Sequence, residues 1–274
     1  MLKDAVFPAR CPVCSDALPF GRRAAMHAAL MRPEVPGGFE TLYSGLVCEG
    51  CLEVLEFIRA PYCGRCGKQL AGGDGTGPQP GVPALRMRAR QRAPGLCADC
   101  SASERRFAQC RCLISYDETA REIMADIKYG SGKGSLDLFS VLAADRLGEW
   151  IRGLGLHCLV PVPVHAERLR QRGFNQAEVL ARQTGALLGI PVRNDILVRN
   201  KNTVAQKSLG RNERLLNLQG AFSVRRRLPA GSAVLVVDDI YTTGSTLEAC
   251  TECLLAAGAG AVYGLCVCAG EDMA

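Results

Sequence analysis

The chain has 274 residues, an apolar fraction of 48 % with 5 % aromatic residues, and a net charge of +6. That length admits one large domain or two smaller ones, and the composition fits a folded α/β protein whose core is Val, Leu, Ile and Ala. No apolar run approaches the ~20 residues of a membrane helix, and Met1 to Cys14 lacks the apolar centre of a secretory leader, so a cytoplasmic location without membrane insertion is expected. The mild positive charge suits phosphate-bearing ligands or nucleic acid without choosing between them.

The chain contains 15 cysteines. Eight of them form Cys-x-x-Cys pairs before residue 101: Cys11/Cys14, Cys48/Cys51, Cys63/Cys66 and Cys97/Cys100. Such a pair curls the backbone so that both thiolates face one ion, and two pairs complete a tetrahedral four-thiolate zinc site. Residues 1–107 therefore read as a double zinc-ribbon module with two structural Zn2+ ions. In chain order the first two pairs share one ion and the last two the other, although spacing alone leaves crossed pairings open. So little apolar sequence makes the module's folding depend on the metal. Between the third and fourth knuckles, residues 71–95 begin Gly- and Pro-rich and read as a mobile loop. Arg86, Arg88, Arg90 and Arg92 alternate along its second half and would share one side of an extended chain. They could follow a nucleic-acid backbone or simply be solvated.

Residues 108–274 read as a second domain. Cys110-Arg111-Cys112 leads into a strand, and its spacing suits buried core thiols better than a zinc knuckle. Cys158, Cys250, Cys253, Cys266 and Cys268 read the same way. Thr119 to Lys128 has helical periodicity, and a longer helix is expected from Leu136 to Ile151. Lys128 closes the first of these either as a solvated cation or as a ligand contact. Leu156 to Val160 is expected as a strand. It is followed by a loop from His165 to Gln176 carrying Arg168, Arg170 and Arg172, then by a helix to Leu188. Three arginines after a strand's carboxyl end suit an anionic group, since guanidinium forks bind phosphate oxygens bidentately. His165 reads as a surface histidine. Asp195 to Arg199 is a short strand. The polar stretch 200–217, with Gln206, Lys207, Arg211, Arg214 and Asn217, reads by itself as a solvated helix face. Arg225 to Arg227 is a solvated charge run.

The apolar run Ala233 to Val237 is short and β-branched, as in a central strand of a parallel sheet. Asp238 and Asp239 follow it, then Thr242-Thr243-Gly244-Ser245-Thr246, then a helix from Ser245 to Ala257 that stops at Gly258. A last strand, Ala261 to Val267, completes the sheet. The turn offers several backbone N–H groups and four hydroxyls at a helix N-terminus, which suits a phosphate dianion. Two adjacent carboxylates need donors or cations, and a ribose diol with or without Mg2+ supplies them. Together they read as a ribose-5-phosphate site, and the segment resembles the phosphoribosyl pyrophosphate (PRPP) signature of type I phosphoribosyltransferases. In that resemblance the polar stretch 200–217 takes the place of their mobile closing lid.

Taken together, the residues resemble the ComF family, phosphoribosyltransferase-like bacterial proteins linked to competence and DNA uptake. The resemblance rests on the cysteine knuckles, Ile127-Lys128-Tyr129-Gly130, Val160-Pro161-Val162-Pro163, Arg172-Gly173-Phe174-Asn175-Gln176, Gln206 with Arg211, Arg214 and Asn217, and the loop from Asp238 to Thr246. It implies an α/β fold of the type I phosphoribosyltransferase kind preceded by the ribbon module, a PRPP or ribose-phosphate ligand, and Mg2+ with PRPP. On that reading Asp238 and Asp239 are catalytic, Thr242 to Thr246 hold the 5′-phosphate, and Lys128, Arg168, Arg172, Lys207 and Arg211 serve the pyrophosphate or the lid. Two functions fit: an enzyme transferring a phosphoribosyl group, or a non-catalytic PRPP sensor or single-stranded DNA-binding factor working with a DNA-uptake helicase. No hood that would select a base is recognisable.

Overall fold

A computed structural model describes residues 10–18, 43, 45–70, 95–130, 132–201 and 220–270. The expected mobile loop with Arg86, Arg88, Arg90 and Arg92 lies outside the described residues. So does the proposed lid with Gln206, Lys207, Arg211, Arg214 and Asn217.

The N-terminal part carries two short helices, α1 (Glu49–Glu53) and α2 (Ala98–Ala102), each beginning directly after a knuckle cysteine, Cys48 and Cys97. The remainder alternates strands and helices: β1 (Gln109–Ser115), α3 (Glu118–Tyr129), α4 (Ser135–Gly153), β2 (Cys158–Pro161), α5 (Ala166–Arg172), α6 (Gln176–Leu188), β3 (Leu197–Arg199), β4 (Phe222–Val224), β5 (Ser232–Tyr241), α7 (Ser245–Ala256) and β6 (Ala259–Ala269). Strands β1, β6, β5 and β2 form one sheet in that order, and every pairing is parallel. β3 and β4 make a separate antiparallel hairpin. This is an α/β fold built on a parallel sheet, as expected.

Local chemistry sets the helix ends. Asp117 caps α3 by accepting from the Ala120 N–H at 2.7 Å, and Asn175 caps α6 by accepting from the Ala177 N–H at 3.1 Å. α3 buries Ala120, Ile123, Met124 and Ile127, a stripe at helical spacing. Phe139 and Leu142 of α4 are wholly buried, as are Leu180 and Ala181 of α6, within the apolar cluster that covers one sheet face. Val236 and Leu254 belong to the cluster on the other face, where α7 and the second cysteine group lie. Val234 to Val237 are at most 1 % exposed because both faces are covered.

Two segments differ from the sequence reading. β5 continues to Tyr241 instead of ending at Val237, because long β6 keeps pairing with it through Asp238↔Cys266, Ile240↔Cys268 and Tyr241↔Ala269. The arginine-rich stretch after β2 forms helix α5. His165 is its N-cap, with Nδ1 accepting from the Glu167 N–H at 3.3 Å, and Gly173, in the left-handed region, ends it. His165 is thus a capping residue. Arg225 to Arg227 are exposed as expected, and Arg226 pairs with Asp195 at 3.1 Å.

The second cysteine group rests on the sheet through Gly67. Its φ is +76°, and a Cβ there would stand 2.8 Å from the Cys110 carbonyl oxygen and 3.0 Å from the Arg111 Cα. Gly67→Ala is therefore expected to lower stability by about 1–3 kcal/mol, through left-handed strain and through lifting the knuckle from β1. Gly50→Ala, which meets nothing within 4 Å, should leave the melting temperature nearly unchanged. Equal melting temperatures for the two variants would contradict this packing.

Candidate functional site

The site lies at the carboxyl ends of the parallel strands, where open α/β sheets bind ligands. The turn after β5 is tight. Gly244 has φ +78°, and a Cβ there would lie 2.3 Å from the Tyr241 hydroxyl, so only glycine fits. Tyr241 is buried against Phe107, ring edge to ring face at 6.3 Å, and backs the turn from below. The Gly270 N–H donates to the Tyr241 carbonyl at 2.8 Å, and the Glu248 N–H donates to the Gly244 carbonyl at 2.9 Å, which fixes where α7 begins. Thr243 Oγ1 and Ser245 Oγ lie 2.7 Å apart. The first-turn N–H groups of α7 have no carbonyl of their own helix to bond. With these hydroxyls they form a cradle for an anion.

Asp238 and Asp239 stand just before that turn. Successive strand residues point to opposite faces, yet Asp238 folds back so that its Oδ1 accepts from the Asp239 N–H at 2.9 Å. Asp239 is 8 % exposed. Its Oδ2 meets Lys128 Nζ at 2.7 Å and the Gln176 amide Nε2 at 3.0 Å, and its Oδ1 accepts from the Ile240 N–H at 2.9 Å. Burial works to raise the Asp239 pKa, but the Lys128 ammonium and the Gln176 amide outweigh it and hold the carboxyl below the ordinary range. Burial also opposes the Lys128 charge, and Asp239 reverses that too, leaving the ammonium pKa raised. Asp238 has no such cation against it. Burial, and then the Asp239 carboxylate, push it well above the usual carboxylate range.

The basic residues singled out from sequence converge in part. Lys128 is in the site. Arg172 donates through Nη1 to Gln176 Oε1 at 2.7 Å, and its guanidinium lies 5.8 Å from the Tyr129 ring centroid. It therefore orients the amide that holds Asp239. Arg168 lies towards Arg199 of β3, on the Asp238 side. Burial and the Arg168 cation lower the Arg199 pKa, while Asp238 works in the opposite direction. Sequence reading missed Gln176 as a carboxylate donor, Arg199 as a site cation and Tyr241 as the backing of the turn. The one available signal for Arg199 is its place at the end of a short strand just before the polar stretch. Lys207 and Arg211 lie outside the described residues.

The thiols of Cys11, Cys14, Cys48 and Cys51 all lie within 4.8 Å of one another, and those of Cys63, Cys66, Cys97 and Cys100 do likewise. Cys14 Sγ and Cys48 Sγ are 3.7 Å apart, and Cys66 Sγ and Cys97 Sγ 3.5 Å. A tetrahedral four-thiolate zinc ion with bonds near 2.3 Å needs sulfur separations of about 3.8 Å, so both groups fit a zinc ribbon. The partners are those given by chain order and are not crossed. Lys68, 4 % exposed, pairs with Asp99 at 2.9 Å across the second group. Cys250 is buried in α7, and Cys253 points its thiol at the Phe222 carbonyl at 3.4 Å, as core thiols would.

The family model described as a phosphoribosyl transferase domain matches residues 171–272, a range that includes β5, Asp238, Asp239, the turn and α7. Over 219 residues the chain is 29 % identical to competence protein F of Haemophilus influenzae, covering 77 % of this chain and 85 % of that protein. It is 26 % identical over 223 residues to competence protein ComFC of Bacillus subtilis, covering 78 % and 80 %. A shorter match, 36 % over 111 residues, joins it to DNA utilization protein YhgH of Escherichia coli, covering 40 % and 48 %. The chain is thus similar over most of its length to two competence proteins, and its C-terminal part matches the phosphoribosyl transferase domain. No helix among the described residues is long and apolar enough to cross a membrane.

The Lys128–Asp239 pair carries a pH signature. A depressed carboxyl pKa contributes stability above the unfolded value of about 3.9, lost as pH falls through the lower folded value. Lys128→Met leaves Asp239 buried without its cation, at a cost of about 3 kcal/mol at neutral pH. Once acid protonates Asp239 in both proteins, the difference should shrink. Urea denaturation of the two proteins at neutral and acidic pH tests this. A difference that stays constant with pH would contradict the pairing.

Proposed function

We propose that this protein binds PRPP, or a related ribose 5-phosphate, and transfers its phosphoribosyl group in support of DNA uptake. The observation that carries this reading is a single continuous segment, β5 to α7, in which a carboxylate pair, half-buried Asp238 and buried Asp239, precedes a glycine turn at a helix N-terminus. The phosphate lies on the N-terminus of α7 among Thr242, Thr243, Gly244, Ser245 and Thr246. Asp238 and Asp239 accept from the ribose hydroxyls. Displacement at the anomeric carbon builds positive charge on the sugar as pyrophosphate leaves, and the Asp239 carboxylate, kept ionised, faces that charge. Lys128, Arg168 and Arg199 stand where the leaving pyrophosphate needs cations, and Arg172 keeps Gln176 in place. Mg2+ accompanying PRPP would neutralise further pyrophosphate charge. Lys207 and Arg211, outside the described residues, are assigned to the pyrophosphate or to a closing loop that would exclude water from the sugar. Residues 1–107 form the ribbon module and 108–274 the transferase domain.

The link to DNA uptake is supported by the names of the relatives, two competence proteins and a DNA utilization protein. Those names favour a second reading, in which the same pocket senses PRPP without turnover while the ribbons contact single-stranded DNA or a DNA-uptake helicase. Pyrophosphate release on adding a nitrogen nucleophile separates the two.

Both readings share the pocket. Isothermal titration with PRPP and Mg2+ is expected to show binding, and the double change Asp238→Asn, Asp239→Asn should weaken it about 100-fold, about 2.8 kcal/mol. Equal affinity in the two proteins would refute the site.

A further inference from the structure

A third group of thiols lies outside both ribbons. Cys110 and Cys112 are two residues apart on β1 and so share one face of the sheet. Cys112 is in register with Cys266 of β6, and Cys110 with Gly264. Glycine matters at that position: a Cβ on residue 264 would lie 2.9 Å from Cys110 Sγ, so the space beside the strand is filled by the thiol. The three sulfur atoms lie within 4.8 Å of one another, and the residues are 0 %, 4 % and 2 % exposed. Cys112 Sγ points to the Cys66 carbonyl at 3.8 Å, and Cys110 Sγ to the Arg111 carbonyl at 3.8 Å. These are weak contacts for an S–H group, and none engages the sulfur as a ligand.

All three donors sit on two paired strands, edge strand β1 and its neighbour β6, so the sheet itself brings them together. Their chemistry is uniform. Among the described residues no imidazole or carboxylate joins the group, so hard cations, which favour carboxylate oxygens, are poorly served. Zinc takes four ligands in structural sites, as each ribbon supplies, and this group is one ligand short of that set; monovalent copper is the other single ion that soft thiolates select. We propose that Cys110, Cys112 and Cys266 form a third metal site, separate from the two ribbons, that takes one thiophilic monovalent cation of the Cu(I) type. Each sulfur–metal bond replaces an S–H bond, and the proton passes to solvent. Asp238, in register with Cys266 on the next strand, places the site one strand from the acid pair. The inference does not rest on PRPP binding.

The test uses full-length protein, kept reduced and without oxygen, whose zinc content is counted first. Cu(I) is delivered as its bicinchoninate complex, and copper and zinc are counted by mass spectrometry after desalting. One copper per chain with zinc unchanged is expected. Cys112→Ala and Cys266→Ala should keep their zinc and lose that copper. No uptake would overturn the proposal, as would copper that enters only as zinc leaves, or equal uptake in the variants. If the variants do not fold, X-ray absorption at the copper edge of the unaltered protein decides: three sulfur neighbours are expected, and two, or a nitrogen or oxygen neighbour, would overturn the site.

Discussion

The site depends on one buried ion pair. Asp239 can sit at the end of the central strand, 8 % exposed, because Lys128 from α3 and Gln176 from α6 both bond the same carboxylate oxygen. Removing a carboxylate from water without such partners would neutralise it. The pair also ties three elements to one point. α3 approaches through its last turn, α6 through its first residue, and β5 through its carboxyl end. Arg172 extends the network to the end of α5 by holding the Gln176 oxygen. For Asp238, one residue earlier, burial and the Asp239 charge dominate and push it towards the protonated form. The two neighbouring acids are thus pushed in opposite directions, Asp238 up and Asp239 down, and the latter is fixed in position.

The second constraint is steric and binds the ribbon to the transferase domain. Gly244 must lack a side chain because the Tyr241 hydroxyl occupies that space. Tyr241 is in turn packed by Phe107 from the segment that leaves the second cysteine group. In that segment Arg105 is buried beside Cys100, Tyr241 and Glu248, and the Arg106 N–H donates to Glu248 of α7 at 2.9 Å. Gly67 seats the knuckle on β1 from the other side. A closed four-thiolate group therefore has a physical route to the anion turn through packing, with no part in the chemistry itself.

Much of this was legible in the sequence. The turn from Thr242 to Thr246, the four knuckles and the helix following Asn175 all carry local signals, because glycine, cysteine spacing and capping residues act within a few positions. Two details were hidden by longer-range pairing. β5 runs on to Tyr241 because β6 continues beside it, and a strand's own residues do not reveal the length of its neighbour. Arg199 and Gln176 reach the acids only once the hairpin and α6 are packed against the sheet. Cys266 meets Cys110 and Cys112 for the same reason, through register across a parallel sheet. The arginine-rich stretch after β2 reads as a loop by composition, yet His165 and Gly173 cap it as a helix, since capping geometry outweighs charge content over so short a length.

The central claim is that the turn after β5 is an anion cradle serving a sugar held by the neighbouring acids. Amide chemical shifts followed during titration with ribose 5-phosphate test it most directly. The account predicts that the N–H signals of Thr243, Gly244, Ser245 and Thr246 move together and saturate, with the Lys128 and Gln176 side-chain signals shifting in the same range. Shifts confined to the ribbons or to the β3–β4 hairpin, with the turn unmoved at saturation, would contradict it.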